Sequence, residues 1–339
     1  MRLAVVGVGS WGRNYVRSLA ADTAWICDPD PAARALALRL CPTAMEAATL
    51  DPILADPTVG AVIIAAPAPE HARLARACLG AGKHVLVEKP MAMAVDEARA
   101  LVALAEQRGR VLAVGHLMVY HPVVRRLAEL VAAGELGRLL YLDSTRVNLG
   151  RLRRDENALW SFGPHDLSMI DLLLAEAPVS VAARGQAFLQ PGIADVVFVT
   201  LRFGSGVMAH LHLSWLSPRK ERRLTLVGAS KMAEFDDVAV DKLRIFDRGY
   251  DRPPGFTEFA EYLTLRDGAI HVPHVPMAEP LRLMLDDFLA CVRAADAAPG
   301  QPAPRPLADG AAGLRVVRIL DAAQRSLDAD GVPKSLDPG

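Results

Sequence analysis

Two short stretches of this chain put chemistry-bearing residues where chemistry can be done. Gly7-Val8-Gly9-Ser10-Trp11-Gly12 follows the apolar run Leu3–Val6, and Glu88-Lys89-Pro90 follows a second run, Val85–Val87. In a strand–turn–helix unit the first glycine permits a tight turn, the second lets the backbone approach a pyrophosphate, and the third lets helix and strand pack closely. The helix expected from Trp11 offers free N–H groups and a positive dipole end to phosphates. Asp28 closes the next β-rich run, 21 residues after Gly7, where a carboxylate can grip adenosine ribose hydroxyls. A carboxylate there repels a 2′-phosphate, and Pro29-Asp30 add no cation, so NAD is favoured over NADP. The alternative for Asp28 is a plain turn acid before Pro29. Lys89 falls at the end of a later strand, where the reacting end of the dinucleotide should lie. A dinucleotide floor with an acid/base lysine implies a redox enzyme.

These residues need a scaffold, and the first third of the chain reads as one. Leu3–Val6, Trp25–Cys27, Ala61–Ala65, Val85–Val87 and Val111–Val114 read as buried parallel strands. Helical patterns near Trp11–Ala20, Pro31–Leu40, Glu70–Ala81 and Asp96–Arg108 alternate with them. That order implies an α/β Rossmann fold, a doubly wound parallel sheet with helices on both faces. After Gly115 the rhythm changes. A helix near Pro122–Ala133, a strand near Leu139–Asn148 and a helix beginning at Pro164 lead into a run of antiparallel strands from Val179 to Phe246. The clearest hairpin joins Val196–Phe203 to Val207–Trp215, whose apolar residues alternate with a period of two. Two late helices, Leu281–Arg293 and Ala311–Leu327, flank a Pro-rich loop, and the tail after Asp328 is expected to be an exposed terminus. The expected division is residues 1–118 as the NAD-binding domain and 119–339 as a second domain built largely on antiparallel strands.

The totals set bounds. The 339 residues suffice for two cores, and 38 Lys+Arg against 39 Asp+Glu leave a net charge of −1, without the basic excess of a nucleic-acid binder. Cys27, Cys41, Cys78 and Cys291 have neither metal-ligand nor redox-pair spacing, which fits a reducing cytoplasm. The glycine loop begins by Gly7, leaving no room for a signal peptide, and no apolar run approaches the ~20 residues of a membrane span. His210 and His212 share a strand face without a third ligand, so no metal site is expected.

With these residues in view the chain resembles the GFO/IDH/MocA family of oxidoreductases. The resemblance rests on Gly7–Gly12, Asp28, Ala66-Pro67 with His71, Glu88-Lys89-Pro90, Ser161-Phe162-Gly163-Pro164-His165, and the closing stretch from Gly310 to Leu327. It implies that Gly7, Gly9, Ser10, Trp11, Gly12, Asp28, Ala66, Pro67, His71, Glu88 and Lys89 form the cofactor site. It implies that the Lys89 ammonium hydrogen-bonds the reacting oxygen and that Glu88 orients Lys89. His165 matches the family's catalytic histidine. Pro164 reads as a first-turn helix residue, which would put His165 at the positive helix end and keep its ring neutral. The family often has Asp four residues before this histidine; here Ser161 stands there, and Asp166 is expected to favour the helix N-terminus. The resemblance further implies that residues 119–339 form a C-terminal α+β domain with a largely antiparallel open sheet, which binds substrate and oligomerises; the family's open sheet often forms the subunit interface, which implies a homodimer or homotetramer.

Tyr120, with His116 and His121, is expected at the domain crossing as a substrate contact, and Arg146 and Asn148 lead toward the same cleft. Arg151, Arg153 and Arg154 read either as a diphosphate clamp or as a solvated loop, and Arg219 to Arg223 as a solvated strand edge. Asp143–Gly150 with Leu159-Trp160 and Gly163–Ser168 resembles a nucleotide-sugar branch that oxidises C3 of UDP-N-acetylglucosamine or its uronic acid. The alternatives are a free polyol or sugar dehydrogenase of inositol type, an NAD-dependent glycosidase, and a non-enzymatic NAD-binding regulator.

Overall fold

The computed structural model describes residues 2–150, 152–154, 156–251 and 263–336. Its contacts fall into two compact units: the residues up to Tyr120 together with Glu279–Arg318, and His121–Ala278 together with the residues from Ile319 on.

The first unit runs β1 (Arg2–Val6), α1 (Gly12–Ser18), β2 (Thr23–Cys27), α2 (Pro31–Leu38), β3 (Met45–Ala47), α3 (Asp51–Ala55), β4 (Val59–Ile64), α4 (His71–Gly80), β5 (His84–Val87), α5 (Val95–Arg108) and β6 (Leu112–Val114). Its six strands are parallel in the order β3-β2-β1-β4-β5-β6. The order reverses between β1 and β4, and ligands of such sheets bind at the carboxyl ends of the strands at that switch. The strands are short and apolar because both faces are covered: Val62, Ile63 and Ile64 in β4 and Val85, Leu86 and Val87 in β5 are fully buried. Local chemistry fixes the helix ends. The Asp30 carboxylate accepts from the Ala32 N–H at the start of α2, which has Pro31 in its first turn. Gly109 ends α5 with φ +60°.

Registry carries the site. Val6 pairs with Ile64, Ile64 with Val87, and Val87 with Val114. The residues that follow, Gly7, Ala65-Ala66, Glu88-Lys89 and Gly115-His116, therefore lie along one edge of the sheet. Sequence periodicity predicts five of the six strands. It misses β3, a three-residue edge strand with one buried side chain.

The second unit contains α6 (Pro122–Ala132), β7 (Leu139–Leu149), α7 (Ala158–Leu174), β8 (Pro178–Gln186), β9 (Val196–Phe203), β10 (Met208–Ser214), β11 (Leu216–Gly228), β12 (Met232–Asp236), β13 (Leu243–Asp251) and β14 (Thr264–His271). Then α8 (Pro280–Ala297) and the first half of α9 (Gly310–Leu327) belong to the first unit, and β15 (Lys334–Ser335) closes the chain. The expectation that everything after residue 118 forms one domain thus differs from the contacts by the segment 279–318. Val317 shows why: it lies in the core beneath β4, β5 and β6.

Among the described residues nine strands form the second sheet, in the order β14-β13-β12-β11-β7-β10-β9-β8-β15. All its pairings are antiparallel except β7–β10. In β10 Ala209, Leu211 and Leu213 are buried while Met208, His210 and His212 face outward, the expected alternation. Two expectations hold in part. The tail after Asp328 has no buried residue among those described, as expected of an exposed terminus, but it is tied down, because β15 pairs with β8. The solvated-edge reading of the β11 cations fits Arg219 and Lys220, which are exposed and outside the paired register, but not Arg222 and Arg223, which pair with Arg146 and Thr145 of β7; Arg222 also reaches Asp237 at 3.2 Å.

Candidate active site

Gly7 has φ +82°, and a Cβ there would run into the Ala66 backbone. A Cβ on Gly12 would collide with the Gly7 carbonyl, so both positions are fixed by sterics. Gly9 differs: a Cβ there would meet no heavy atom within 4 Å. The loop keeps open space at the point where a pyrophosphate must approach the backbone, and the residues present fit a bound dinucleotide. Ser10 and Trp11 are exposed on that loop. The Asp28 carboxylate accepts from the Val8 N–H (2.8 Å) and the Asp30 N–H (2.9 Å), tying the end of β2 to the glycine loop.

Glu88 is the hub of this edge. Its carboxylate is buried and accepts from the Trp11 indole N–H, the Tyr15 hydroxyl (2.5 Å) and the Lys89 backbone N–H (3.0 Å). Burial and the neighbouring Glu88 charge push the Tyr15 hydroxyl well above its ordinary pKa, so it remains a donor. Gly115 makes room, since a Cβ there would press on the Glu88 carboxyl at 2.8 Å. Glu88 therefore holds the backbone of Lys89 and ties it to α1. The Lys89–Pro90 peptide is cis.

His71 is expected to touch the cofactor, but its ring is buried, with Nδ1 at 2.7 Å from the Pro90 carbonyl and Nε2 at 2.8 Å from the Ala66 carbonyl. It acts as a clamp between the ends of β4 and β5, joining Ala66-Pro67 to the segment that carries Lys89.

Tyr120 needs the same kind of correction. Its hydroxyl donates to Asp287 (2.7 Å) and accepts from the Ala308 N–H (3.2 Å), while Asp287 also takes the Leu307 N–H (2.8 Å). Burial, then the hydrogen bond to Asp287, raises its pKa. The side chain braces α8 and the 307–308 segment within the first unit, so the substrate contact expected of it is not what the structure shows.

His116 ends the β6 edge beside Lys89. It is buried, and neither ring nitrogen has a hydrogen-bond partner among the described residues. Burial lowers its pKa to about 3, aided by the nearby charges of Lys89 and Arg315. The folded protein keeps this ring neutral, whereas the unfolded chain protonates it near pH 6.5. The stability it contributes is complete above that pH and is lost as pH falls toward 3. His116→Leu should therefore flatten the acid side of the stability–pH curve by a few kcal/mol, read from urea unfolding midpoints between pH 7 and pH 4. Identical slopes in both proteins would contradict a buried neutral ring.

In the second unit the sequence reading misplaces the helix start. α7 begins at Ala158, where the Asn157 side chain accepts from the Trp160 N–H (3.2 Å), so His165 lies two turns inside the helix, which continues through Pro164. The helix-end argument for a neutral His165 therefore falls. Asp166 does not favour a helix end either: its carboxylate takes Arg146 Nε (2.6 Å), Arg146 Nη2 (3.2 Å) and the Ser144 hydroxyl (2.8 Å), all buried. Arg146, expected to meet substrate, is spent on Asp166. Asn148 remains available, its buried Oδ1 lacking a partner among the described residues.

Arg151 lies outside the described residues, Arg153 pairs with Glu156 at 3.6 Å, and Arg154 is exposed. His121 caps α6 by accepting from the Val123 N–H. His210 and His212 both stack on Phe198. No group of three or more metal-ligating side chains occurs among the described residues, and no described helix is long and apolar enough to cross a membrane.

Sequence reasoning misses Tyr15, Arg34 and Asp287. Tyr15 is the one that could have been found, four residues after Trp11 on the same face of the glycine-loop helix. Arg34 donates to the Asp28 and Pro29 carbonyls and to Glu46.

Comparison with known proteins agrees with this geometry. Residues 1–116 match the oxidoreductase family with an NAD-binding Rossmann fold, and residues 124–234 match the GFO/IDH/MocA C-terminal domain. The chain is 30% identical over 321 residues to UDP-N-acetylglucosamine 3-dehydrogenase of Acidithiobacillus ferrooxidans, covering 94% of each. It superposes on a structure of that enzyme with a TM-score of 0.79 at 27% identity, covering 97% of this chain and 98% of the other. It is also 29% identical to inositol 2-dehydrogenase 2 of Saccharopolyspora erythraea, over 63% of this chain and 66% of that one. The chain belongs to the GFO/IDH/MocA family of oxidoreductases, enzymes with an NAD-binding Rossmann domain whose relatives act on sugar hydroxyls.

Proposed function

We propose that this oxidoreductase oxidises a secondary sugar hydroxyl with NAD, and that its substrate is a UDP-N-acetylhexosamine or the corresponding uronic acid, oxidised at C3. The observation that carries the site is the Glu88 hub, which fixes Lys89 at the strand edge that begins at the glycine loop. The reading of the sugar rests on the likeness to the UDP-N-acetylglucosamine enzyme along 94% of the chain.

Lys89 donates a hydrogen bond to the substrate oxygen and stabilises negative charge as it develops. His165 takes the hydroxyl proton. NAD, when bound, accepts the hydride from the carbinol carbon. Asn148 offers a substrate donor its Oδ1, an acceptor without a partner among the described residues. Two features support NAD over NADP: Asp28 places a carboxylate at the ribose position, and the nearby Arg34 guanidinium is engaged by two carbonyls and Glu46. The four cysteines are free and buried, in keeping with work in a reducing cytoplasm. Exposed Tyr141, Phe198 and Met208 on the open sheet support a homodimer or homotetramer formed through that face.

A free polyol of inositol type is the second reading. It is favoured by the inositol dehydrogenase likeness and by the burial of Arg146, which leaves no arginine of β7 for a diphosphate. A stoichiometric single-turnover reaction separates the two. Protein with NAD is mixed in turn with UDP-N-acetylglucosamine, its uronic acid and myo-inositol, and reduced-nicotinamide absorbance is recorded. The proposal expects a burst with a UDP-sugar and none with inositol; a burst with inositol alone overturns the nucleotide-sugar reading.

A further inference from the structure

The clamp around Asp166 is not needed to form α7. A 17-residue helix capped by Asn157 and packed through Leu159, Leu167, Ile170 and Leu173 has its own reasons to fold. Its weak point is Pro164. Proline has no N–H to give to the carbonyl four residues back, so the hydrogen-bond ladder is cut immediately before His165. Immediately after His165 the Asp166 carboxylate is gripped by three donors from β7: Arg146 Nε, Arg146 Nη2 and the Ser144 hydroxyl. Ser144 and Arg146 are two apart on a strand, so they reach from the same face. β7 is an interior strand of the sheet, paired on both sides with β10 and β11. Arg146 and Asp166 side chains are 7% and 2% exposed, so the bidentate pair works out of water, where its geometry is tightly specified.

We propose that Arg146 and Asp166 are positioning residues for His165. The broken ladder leaves this turn of α7 without part of its own restraint, and the buried pair references it to the rigid sheet. The inference rests on the reading above, in which His165 takes the substrate proton. It assigns no substrate contact to Arg146, and it gives Asp166 a role through its neighbour.

The test compares Arg146→Met/Asp166→Leu, Asp166→Asn and His165→Ala with NAD and whichever of UDP-N-acetylglucosamine, its uronic acid and myo-inositol the wild type oxidises. Replacing both members of a buried pair by apolar residues of similar size often preserves folding, whereas removing one strands a buried charge. The double variant should keep the wild-type melting temperature, NAD affinity and KM, while kcat falls ~100-fold, the scale expected when a catalytic group is misplaced by about 1 Å. Asp166→Asn keeps an acceptor for Arg146 and should lose only about tenfold in kcat, again at unchanged KM. Wild-type kcat in both variants beside an inactive His165→Ala overturns the positioning role and leaves the function intact. Wild-type turnover in His165→Ala overturns the function reading and this inference with it.

Discussion

Lys89→Ala should lose turnover by about 10²–10⁴-fold, roughly 3–5 kcal/mol of transition-state stabilisation. Its dissociation constant for NAD should stay within a few-fold of wild type. The split follows from how the residue is held. The backbone of Lys89 is fixed by the Glu88 carboxylate, which also engages Trp11 and Tyr15, and none of these bonds involves the lysine ammonium. Truncating the side chain leaves the glycine loop, Asp28 and the His71 clamp in place. Stopped-flow measurement of nicotinamide reduction gives the rate, and quenching of protein fluorescence on NAD titration gives the affinity, with Trp11 as a reporter on the loop itself. Unchanged turnover would remove Lys89 from the chemistry. Joint loss of turnover and NAD binding would make it a structural residue.

The second large effect separates two glycines that the sequence motif treats alike. Gly9→Val should fold with the wild-type melting temperature in the absence of cofactor, because a Cβ at Gly9 meets nothing within 4 Å. Its NAD affinity should fall by about 100-fold or more, since the new methyl groups occupy the space the pyrophosphate needs. Gly12→Val should instead fail to fold, because its Cβ would collide with the Gly7 carbonyl. Calorimetric melting with and without NAD distinguishes them. A Gly9→Val protein that is still stabilised by NAD like the wild type would mean that the dinucleotide does not cross the loop at Gly9.

Comparison of sequence and structure separates short-range from long-range information. The alternation of buried runs with helical patterns predicts the parallel sheet, because parallel strands covered on both faces are apolar throughout. Gly7, Gly9 and Gly12 are legible because each answers a local steric demand. The error over α7 is instructive: Pro164 looks like a helix start, yet the structure carries a helix straight through it. The Asn157 cap and the apolar residues on both sides outweigh the lost hydrogen bond. With the helix starting at Ala158, His165 and Asp166 fall in its interior and not in its first turn. Arg146 reads as a substrate ligand in the sequence because nothing local shows that a carboxylate 20 residues further on takes its guanidinium. Tyr120 reads as a substrate contact for the same reason, its partner Asp287 lying 167 residues away. Polar residues advertise that they need partners, but not which partners. The return of residues 279–318 to the first unit is likewise a long-range packing result, written in Val317 and its neighbours rather than in any motif.

The most direct test of the account follows the hydride itself. UDP-N-acetylglucosamine and its uronic acid, each carrying deuterium at C3, are mixed with stoichiometric protein and NAD, and the nicotinamide product is examined by mass spectrometry. The account predicts one deuterium transferred to the nicotinamide ring from at least one of the two sugars, and loss of that transfer in Lys89→Ala. Reduced nicotinamide formed without deuterium, or no reduction by either sugar, would contradict oxidation at C3.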